Sequence, residues 1–250
     1  MPDSASDLWR VLGSAARVWA RPDLLEVHDE WWTAFSGQRN VNYNVACCHS
    51  ARPEVLRDHC LQPTLDLKKP AIVMLAGPGL ATAQKLVEVG WVDVGALPLM
   101  TRTGPVVPPD GSVVRELPPA ELAGARALLA DTYGLDDASA RAAVPDRASE
   151  SGDMGVWGLY DDDRLESCVT VVVEDGLMVV WSMATWRRSQ GRGYGQRLLR
   201  AVLAHHAEAG VSGSLLQSSL AGQTLYRGLG YAEVEHWQLW SRPRWVMANA

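Results

Sequence analysis

The sequence is 250 residues long, 47% hydrophobic and 21% charged, with a formal net charge of −6 at pH 7. That balance excludes a disordered chain, and an acidic total argues against a protein that holds nucleic acid through a general basic surface. No apolar run reaches the roughly 18 residues of a membrane span, and the acidic start MPDSASDLWR differs from the basic head of a secretory signal. The expectation is a cytoplasmic enzyme with no membrane or nucleic-acid partner, with room for one large domain or two small ones.

In chain order, DLWRVLGSAARVW reads as a helix, WWTAF and NYNVACC as strands, PEVLRDHCL as a helix, AIVMLAG as a strand, ATAQKLVEVG as a helix and DVGALPLM as a strand. Cys47, Cys48, Cys60 and Cys168 form no C-x-x-C pair, so neither a disulfide framework nor a metal site is expected. The nearby His49 and His59 do gather ligand types, but the three clustered cysteines suit small buried positions on a strand and a helix. Pro and Gly then interrupt every periodic pattern in MTRTGPVVPPDGSVVRELPPA, which places a domain boundary near Asp110 and divides the chain into 1–110 and 111–250.

Beyond that boundary SVVREL reads as a short strand, ELAGARALLADTYG as an amphipathic helix and DDASARAAV as a second, shorter one. Three strand-like runs come next, MGVWGLY, SCVTVVVED and LMVVWSMAT, separated by DDD and DG turn signals and therefore expected as an antiparallel meander. Leu198, Leu199, Val202 and Leu203 then mark a helix face that ends near Gly210. The strand SGSLLQSS, the helix AGQTLYRGLGY and the strand EVEHWQLW complete the chain. LVEVGW in the first half and LYRGLGY in the second join a helix to a last strand in the same way, a weak internal repeat consistent with two similar domains.

The second half alone carries QGRGYGQRLL, in which Gly191, Gly193 and Gly195 precede the helix and Arg187, Arg188, Arg192, Arg197 and Arg200 surround it. A glycine-rich turn running into a helix N-terminus offers backbone N–H groups to an anion such as a phosphate. The P-loop pattern fails for want of a lysine, and the dinucleotide pattern G-x-G-x-x-G fails because Gln196 stands at its third glycine. Gln190-Gly191-Arg192-Gly193-Tyr194-Gly195 instead resembles the Q/R-x-x-G-x-G/A loop with which GNAT acetyltransferases hold acetyl-CoA, and the resemblance extends by order of elements over residues 113–240.

That resemblance implies an α/β fold of two GNAT-like domains, each a mixed, mostly antiparallel sheet flanked by helices, with the first lacking the phosphate loop. It implies acetyl-CoA as acyl donor and a small-molecule or peptide amine as acceptor. Met183, Ala184 and Thr185 would pair with the pantetheine arm, and Gln190, Gly191, Arg192, Gly193, Tyr194, Gly195 and Gln196 would offer N–H groups to the pyrophosphate. Ser219 would be a further cofactor contact and helix cap, standing where many members have asparagine. Tyr226 would be the general acid that protonates the departing thiolate.

The strand LMVVWSMAT lacks the glutamate that many members carry, so Glu166, ahead of Glu174, is the candidate base, with a water relay as the alternative. Trp157, Trp181 and Trp186 are either walls of an amine site or core residues. The principal competing function is an acyl-CoA sensor that binds without transferring.

Overall fold

The computed structural model describes residues 5–247 except 110, 112, 150 and 151, so Asp110 itself lies outside the described residues. The described chain divides into two compact units: 5–99 with 217–220 and 233–247, and 100–216 with 221–232.

In the first unit, α1 (Ala5–Ala15) leads to β1 (Leu25–Val27), β2 (Trp31–Phe35) and β3 (Asn44–Cys48). A continuous helical segment comes after them, made of α2 (Pro53–Val55), a π turn (Leu56–Leu61) and α3 (Gln62–Asp66), and then β4 (Ile72–Leu75). β1–β2 and β2–β3 are antiparallel, whereas β3 and β4 are parallel. α4 (Ala83–Glu88) precedes β5 (Val92–Thr103), whose residues up to Leu99 belong to this unit. The core gathers Phe35, Cys48, Leu56, Cys60, Val73, Leu75, Trp91 and Trp240, so the clustered cysteines fill strand and helix interiors.

The second unit runs through β6 (Val113–Glu116), α5 (Leu122–Tyr133), α6 (Asp137–Ala143), β7 (Met154–Asp161), β8 (Arg164–Glu174) and β9 (Leu177–Thr185). β7 to β9 form the expected antiparallel meander, and β6 extends it by pairing antiparallel with β7. α7 (Tyr194–Glu208) then leads to β10 (Gly213–Gln217), which lies parallel to β9, and on to α8 (Gln223–Gly228). Leu198, Leu199, Val202 and Leu203 bury the predicted face of α7 against Val169, Val171, Met178 and Val180.

The assignment of the last strand to 111–250 needs correction. β11 (Ala232–Ser241) pairs antiparallel with β4, and residues from 233 onward belong to the first unit. Order along the chain does not reveal which sheet edge a terminal strand completes; here Trp237, Leu239 and Trp240 are buried beside β4.

The weak repeat of LVEVGW and LYRGLGY has a physical origin. In both, the glycine takes a left-handed conformation just past a helix, at Gly90 (φ 78°) and Gly230 (φ 85°). Gly90 N–H donates to Val87 and Trp91 N–H to Leu86; likewise Gly230 N–H donates to Arg227 and Tyr231 N–H to Tyr226. Each is a paired-bond stop that satisfies the last helical carbonyls and turns the chain into its final strand.

Candidate active site

β8 and β9 pair in register from Glu174↔Leu177 to Thr170↔Trp181, then skip to Cys168↔Ala184. Ser182 and Met183 thus face a single residue, Val169, and Ser182 takes a left-handed conformation (φ 42°) that a non-glycine residue adopts only when its surroundings enforce it. On its other side β9 pairs with β10 only from Leu177↔Gly213 to Val179↔Leu215. Beyond Val179 the end of β9, with its bulge, runs on without registered partners on that side.

The direction of the carbonyls on this stretch results from strand alternation. Trp186 N–H donates to Glu166 O of β8, so the peptide groups of Ala184 face β8 and those of Thr185 face away. The Thr185 carbonyl accepts from Thr132 Oγ1 (3.1 Å) and Gln190 Nε2 (3.2 Å). The Met183 carbonyl accepts from the Tyr133 hydroxyl. This end of β9 therefore displays two carbonyls on an edge that β10 does not cover.

The glycine-rich turn leads from that strand end into α7. Gly191 and Gly193 both have φ of 78°, and a Cβ at either would meet nothing within 4 Å. Their backbone faces open space, as close approach by a ligand requires. Gly193 is the N-cap of α7 with no side-chain cap, which leaves the first N–H groups of a 15-residue helix to other acceptors. Gly195 is constrained differently: a Cβ there would lie 3.0 Å from Met183 Cε and 3.4 Å from Thr185 Oγ1, so α7 begins directly against the end of β9. Arg192 is exposed in the turn and Gln196 is half-buried on the first helical turn. Tyr194 is buried and its hydroxyl donates to the Asp161 carboxylate, which together with burial raises its pKa against the opposing Arg192 guanidinium. Only the backbone of Tyr194 can serve a ligand, because its side chain anchors the turn.

Tyr226 sits on α8 with its hydroxyl 3.9 Å from Met183 Sδ. Its carbonyl accepts from Tyr231 N–H, and the two rings meet edge to face at 5.7 Å. The Tyr231 hydroxyl shares a 2.7 Å hydrogen bond with Ser214 Oγ on β10, so the helix stop itself fixes Tyr226 over β9 and β10. Burial, and to a smaller degree Tyr133 and Tyr231, push the Tyr226 pKa well above that of a free phenol. The group is a proton donor at neutral pH.

Glu166 lies elsewhere in this arrangement. Its buried carboxylate accepts from Ser189 Oγ (2.6 Å) and pairs with Arg188 (3.5 Å) and Arg164 (3.9 Å). Glu174 lies at the opposite end of β8, paired with Leu177 at the start of β9. Ser219 is exposed and belongs to the 217–220 segment of the first unit. The expectation that it caps the next helix is corrected: α8 begins at Gln223 with Gly222 at its N-cap, because a turn intervenes.

The tryptophans divide. Trp157 is buried in the core and packs on His205 (4.6 Å), whereas Trp186 folds back to donate to the Leu165 carbonyl (2.7 Å) beneath Arg188. Trp181 is half-buried on β9 next to the bulge. The sequence reading missed Thr132, Tyr133 and Ser189. Tyr133 and Met183 are far apart in sequence, and no local pattern announces their contact.

The corresponding parallel pair of the first unit is closed. β3 pairs with β4 up to the final residues, Cys48↔Leu75, and Ala76 N–H adds a bond to Cys48 O. Gly79 then passes so close that a Cβ would lie 2.1 Å from the Cys48 carbonyl oxygen. The chain after β3 reads Ala51-Arg52-Pro53-Glu54 and has no glycine turn.

Residues 152–233 match the family model of the acetyltransferase (GNAT) domain. No curated protein matches the chain in sequence. A GCN5-related N-acetyltransferase from Kribbella flavida is similar over 97% of both chains, with 18% identity and a TM-score of 0.73. A GCN5-related N-acetyltransferase from Sphaerobacter thermophilus aligns with 85% of this chain and 76% of its own (15% identity, TM-score 0.62). A GCN5-related N-acetyltransferase-like protein from Streptococcus suis aligns with 85% and 83% (10% identity, TM-score 0.54). Among the described residues no helix is long and apolar enough to cross a membrane. The family match falls on β7 to α8, the elements that build the bulged strand, the glycine turn and the Tyr226 helix, and the chain carries a GNAT acetyltransferase domain.

Proposed function

We propose that this protein is an N-acetyltransferase that takes the acetyl group of acetyl-CoA and passes it to a primary amine by direct attack. One observation carries the reading: the parallel pairing of β9 and β10 ends at Val179 and Leu215, while β9 runs on through a bulge to the foot of a glycine turn. An open strand edge suits an extended chain bearing amide groups, and a helix N-terminus beside it suits a pyrophosphate. Acetyl-CoA combines both chemistries.

In this reading Met183 and Thr185 supply main-chain hydrogen bonds to the pantetheine arm, whereas Ala184, expected beside them, is turned towards β8 with its carbonyl accepting from Ser167 Oγ (2.8 Å) and is left out of that pairing. The N–H groups of Gln190 to Gln196 hold the phosphates, with Arg192 adding charge. Tyr226, kept protonated by burial, gives its proton to the sulfur as the C–S bond breaks, and the amine nitrogen loses its proton through a water relay. Glu166 holds the turn through Ser189 and Arg188 rather than acting as the base. The first unit, with its strand pair closed by Ala76 and Gly79, binds no acyl-CoA, giving one donor per chain. Engagement of Glu166 also favours the second reading, an acyl-CoA-binding protein without transfer.

Calorimetric titration of the full chain with acetyl-CoA, CoA, NAD and ATP tests the binding class, with one equivalent of acetyl-CoA expected. A screen of small amines and amino-terminal peptides for thiol release then separates enzyme from sensor. Tight binding of NAD or ATP in preference to CoA would overturn both readings.

A further inference from the structure

The edge that β10 leaves uncovered is not bare. Two carbonyls face away from β8 there, and both accept from side chains of the last turn of α5: Thr132 Oγ1 donates to Thr185, and the Tyr133 hydroxyl donates to Met183. The same turn is tied down beside them, since Arg187 N–H donates to Asp131 Oδ2 (3.1 Å) and the Arg187 guanidinium reaches the Thr132 carbonyl (3.4 Å). α5 stops immediately afterwards at Gly134, whose left-handed conformation (φ 66°) turns the chain away, and α6 starts on its own cap at Asp136. Three consecutive residues thus lie along an edge whose carbonyls would otherwise invite a pairing chain.

We propose that Tyr133 is a positioning residue of the acyl-donor site: its hydroxyl occupies the Met183 carbonyl while the edge is empty and yields that carbonyl to an amide N–H of the pantetheine arm. This rests on the acetyl-CoA reading above. Tyr133 leaves 55% of its surface exposed, so the side chain has room to swing out, while its hydroxyl lies inward on the strand. Burial of that hydroxyl raises its pKa to about 12, so it remains a donor throughout the neutral range and caps the edge at every working pH. The Tyr226 phenol approaches Met183 from α8 at its sulfur, so the two tyrosines meet one residue through different atoms. Tyr226 does not compete for the carbonyl; Tyr133 does.

A residue that must release a bond before a ligand can form its own weakens that ligand. Removing only the hydroxyl should therefore tighten CoA. Tyr133→Phe is expected to lower the dissociation constant of CoA about three- to tenfold, the range of one net hydrogen bond. The comparison ligand is adenosine 3′-phosphate 5′-diphosphate, which keeps the pyrophosphate and lacks the pantetheine amides; its affinity should be the same in wild type and variant. Thr132→Val, which frees one of the two donors on Thr185, should shift CoA in the same direction by less. Calorimetry on the full chain reads all five dissociation constants, those of CoA for the wild type and both variants and those of the nucleotide for the wild type and Tyr133→Phe.

Unchanged or weaker CoA binding by Tyr133→Phe, in a variant that melts like the wild type, overturns the proposal. Equal tightening of both ligands overturns it too, because it would place the effect at the phosphates. If the wild type binds the nucleotide but CoA no better, the edge proposal fails and the glycine turn stands. If it binds neither, the acetyl-CoA reading itself fails.

Discussion

Replacing Glu166 separates a residue that holds the phosphate turn from one that takes a proton. Its carboxylate is buried and receives the Ser189 hydroxyl at 2.6 Å and the Arg188 guanidinium at 3.5 Å, and Ser189 and Arg188 belong to the 3₁₀ turn just before Gln190. A hydrogen bond to a charged group contributes about 1.5–3 kcal/mol. The mostly exposed Arg188 adds about 0–1 kcal/mol because water screens it. Glu166→Ala should therefore cost about 2–3 kcal/mol, which in a chain of this size is a fall of roughly 5–10 °C in Tm. Glu166→Gln keeps an acceptor for Ser189 and should lose about half as much. Part of that loss reaches the turn, so acetyl-CoA should bind about tenfold more weakly to the alanine variant. The acid limb of the pH–rate profile should stay where it is in both. The reasoning is refuted if Glu166→Gln melts and binds acetyl-CoA like the wild type while turnover falls about a hundredfold and the acid limb disappears, the behaviour of a general base.

Tyr226→Phe deletes a hydroxyl and keeps the ring on Tyr231, so turnover measured by thiol release should fall about 10²- to 10⁴-fold with CoA affinity preserved; a wild-type rate would return Tyr226 to packing. Gly193→Val places a branched side chain at φ 78° and into the open space above the turn, so acetyl-CoA affinity should collapse while circular dichroism stays native; retained affinity would remove the turn from the donor site. Burial, then His205, lowers the His206 pKa to about 4, below the roughly 6.5 of an unfolded histidine. The folded state thus binds fewer protons between these values, and stability should be full above about pH 6.5 and decline as pH falls towards 4. His206→Gln should flatten Tm against pH across that window, and an unaltered slope would show that other groups set it.

The elements legible in the sequence are those whose pattern is local. LMVVWSMAT is β9 from first residue to last, and WWTAF is β2, because β-branched and aromatic runs bounded by turns admit few other readings. Gly210 ends α7 through the same paired bonds as Gly90 and Gly230, with Gly210 N–H donating to Ala207 and Val211 N–H to His206. β1, three residues long, carries too little pattern to be seen. The bulge at Ser182 and Met183 is equally silent, since neither residue type marks a left-handed strand position. Glu166 reads as free in the sequence because Ser189 and Arg188, which engage it, lie on a turn whose path depends on the fold.

The same local grammar, antiparallel pairings and then a parallel one, is written twice in this chain, with two antiparallel pairings in the first unit and three in the second, and the two outcomes differ through the backbone beyond the paired residues of the parallel strand. After β4 the chain reaches Gly77, bonds Ala76 to Cys48 and passes Gly79 over the Cys48 carbonyl, so the end of β3 is satisfied by its neighbours. After Leu215 β10 leaves β9 unpaired on that side, and the carbonyls of Met183 and Thr185 take their hydrogen bonds from Thr132, Tyr133 and Gln190. Bonds to side chains on a half-exposed turn can be exchanged for bonds to a ligand at little net cost, whereas breaking a buried backbone ladder leaves polar groups unsatisfied. A sheet that binds an extended chain must stop pairing before its strand ends, and of the described strands β3 and β9, each followed by a parallel neighbour, it is β9 that does so at the foot of a glycine turn.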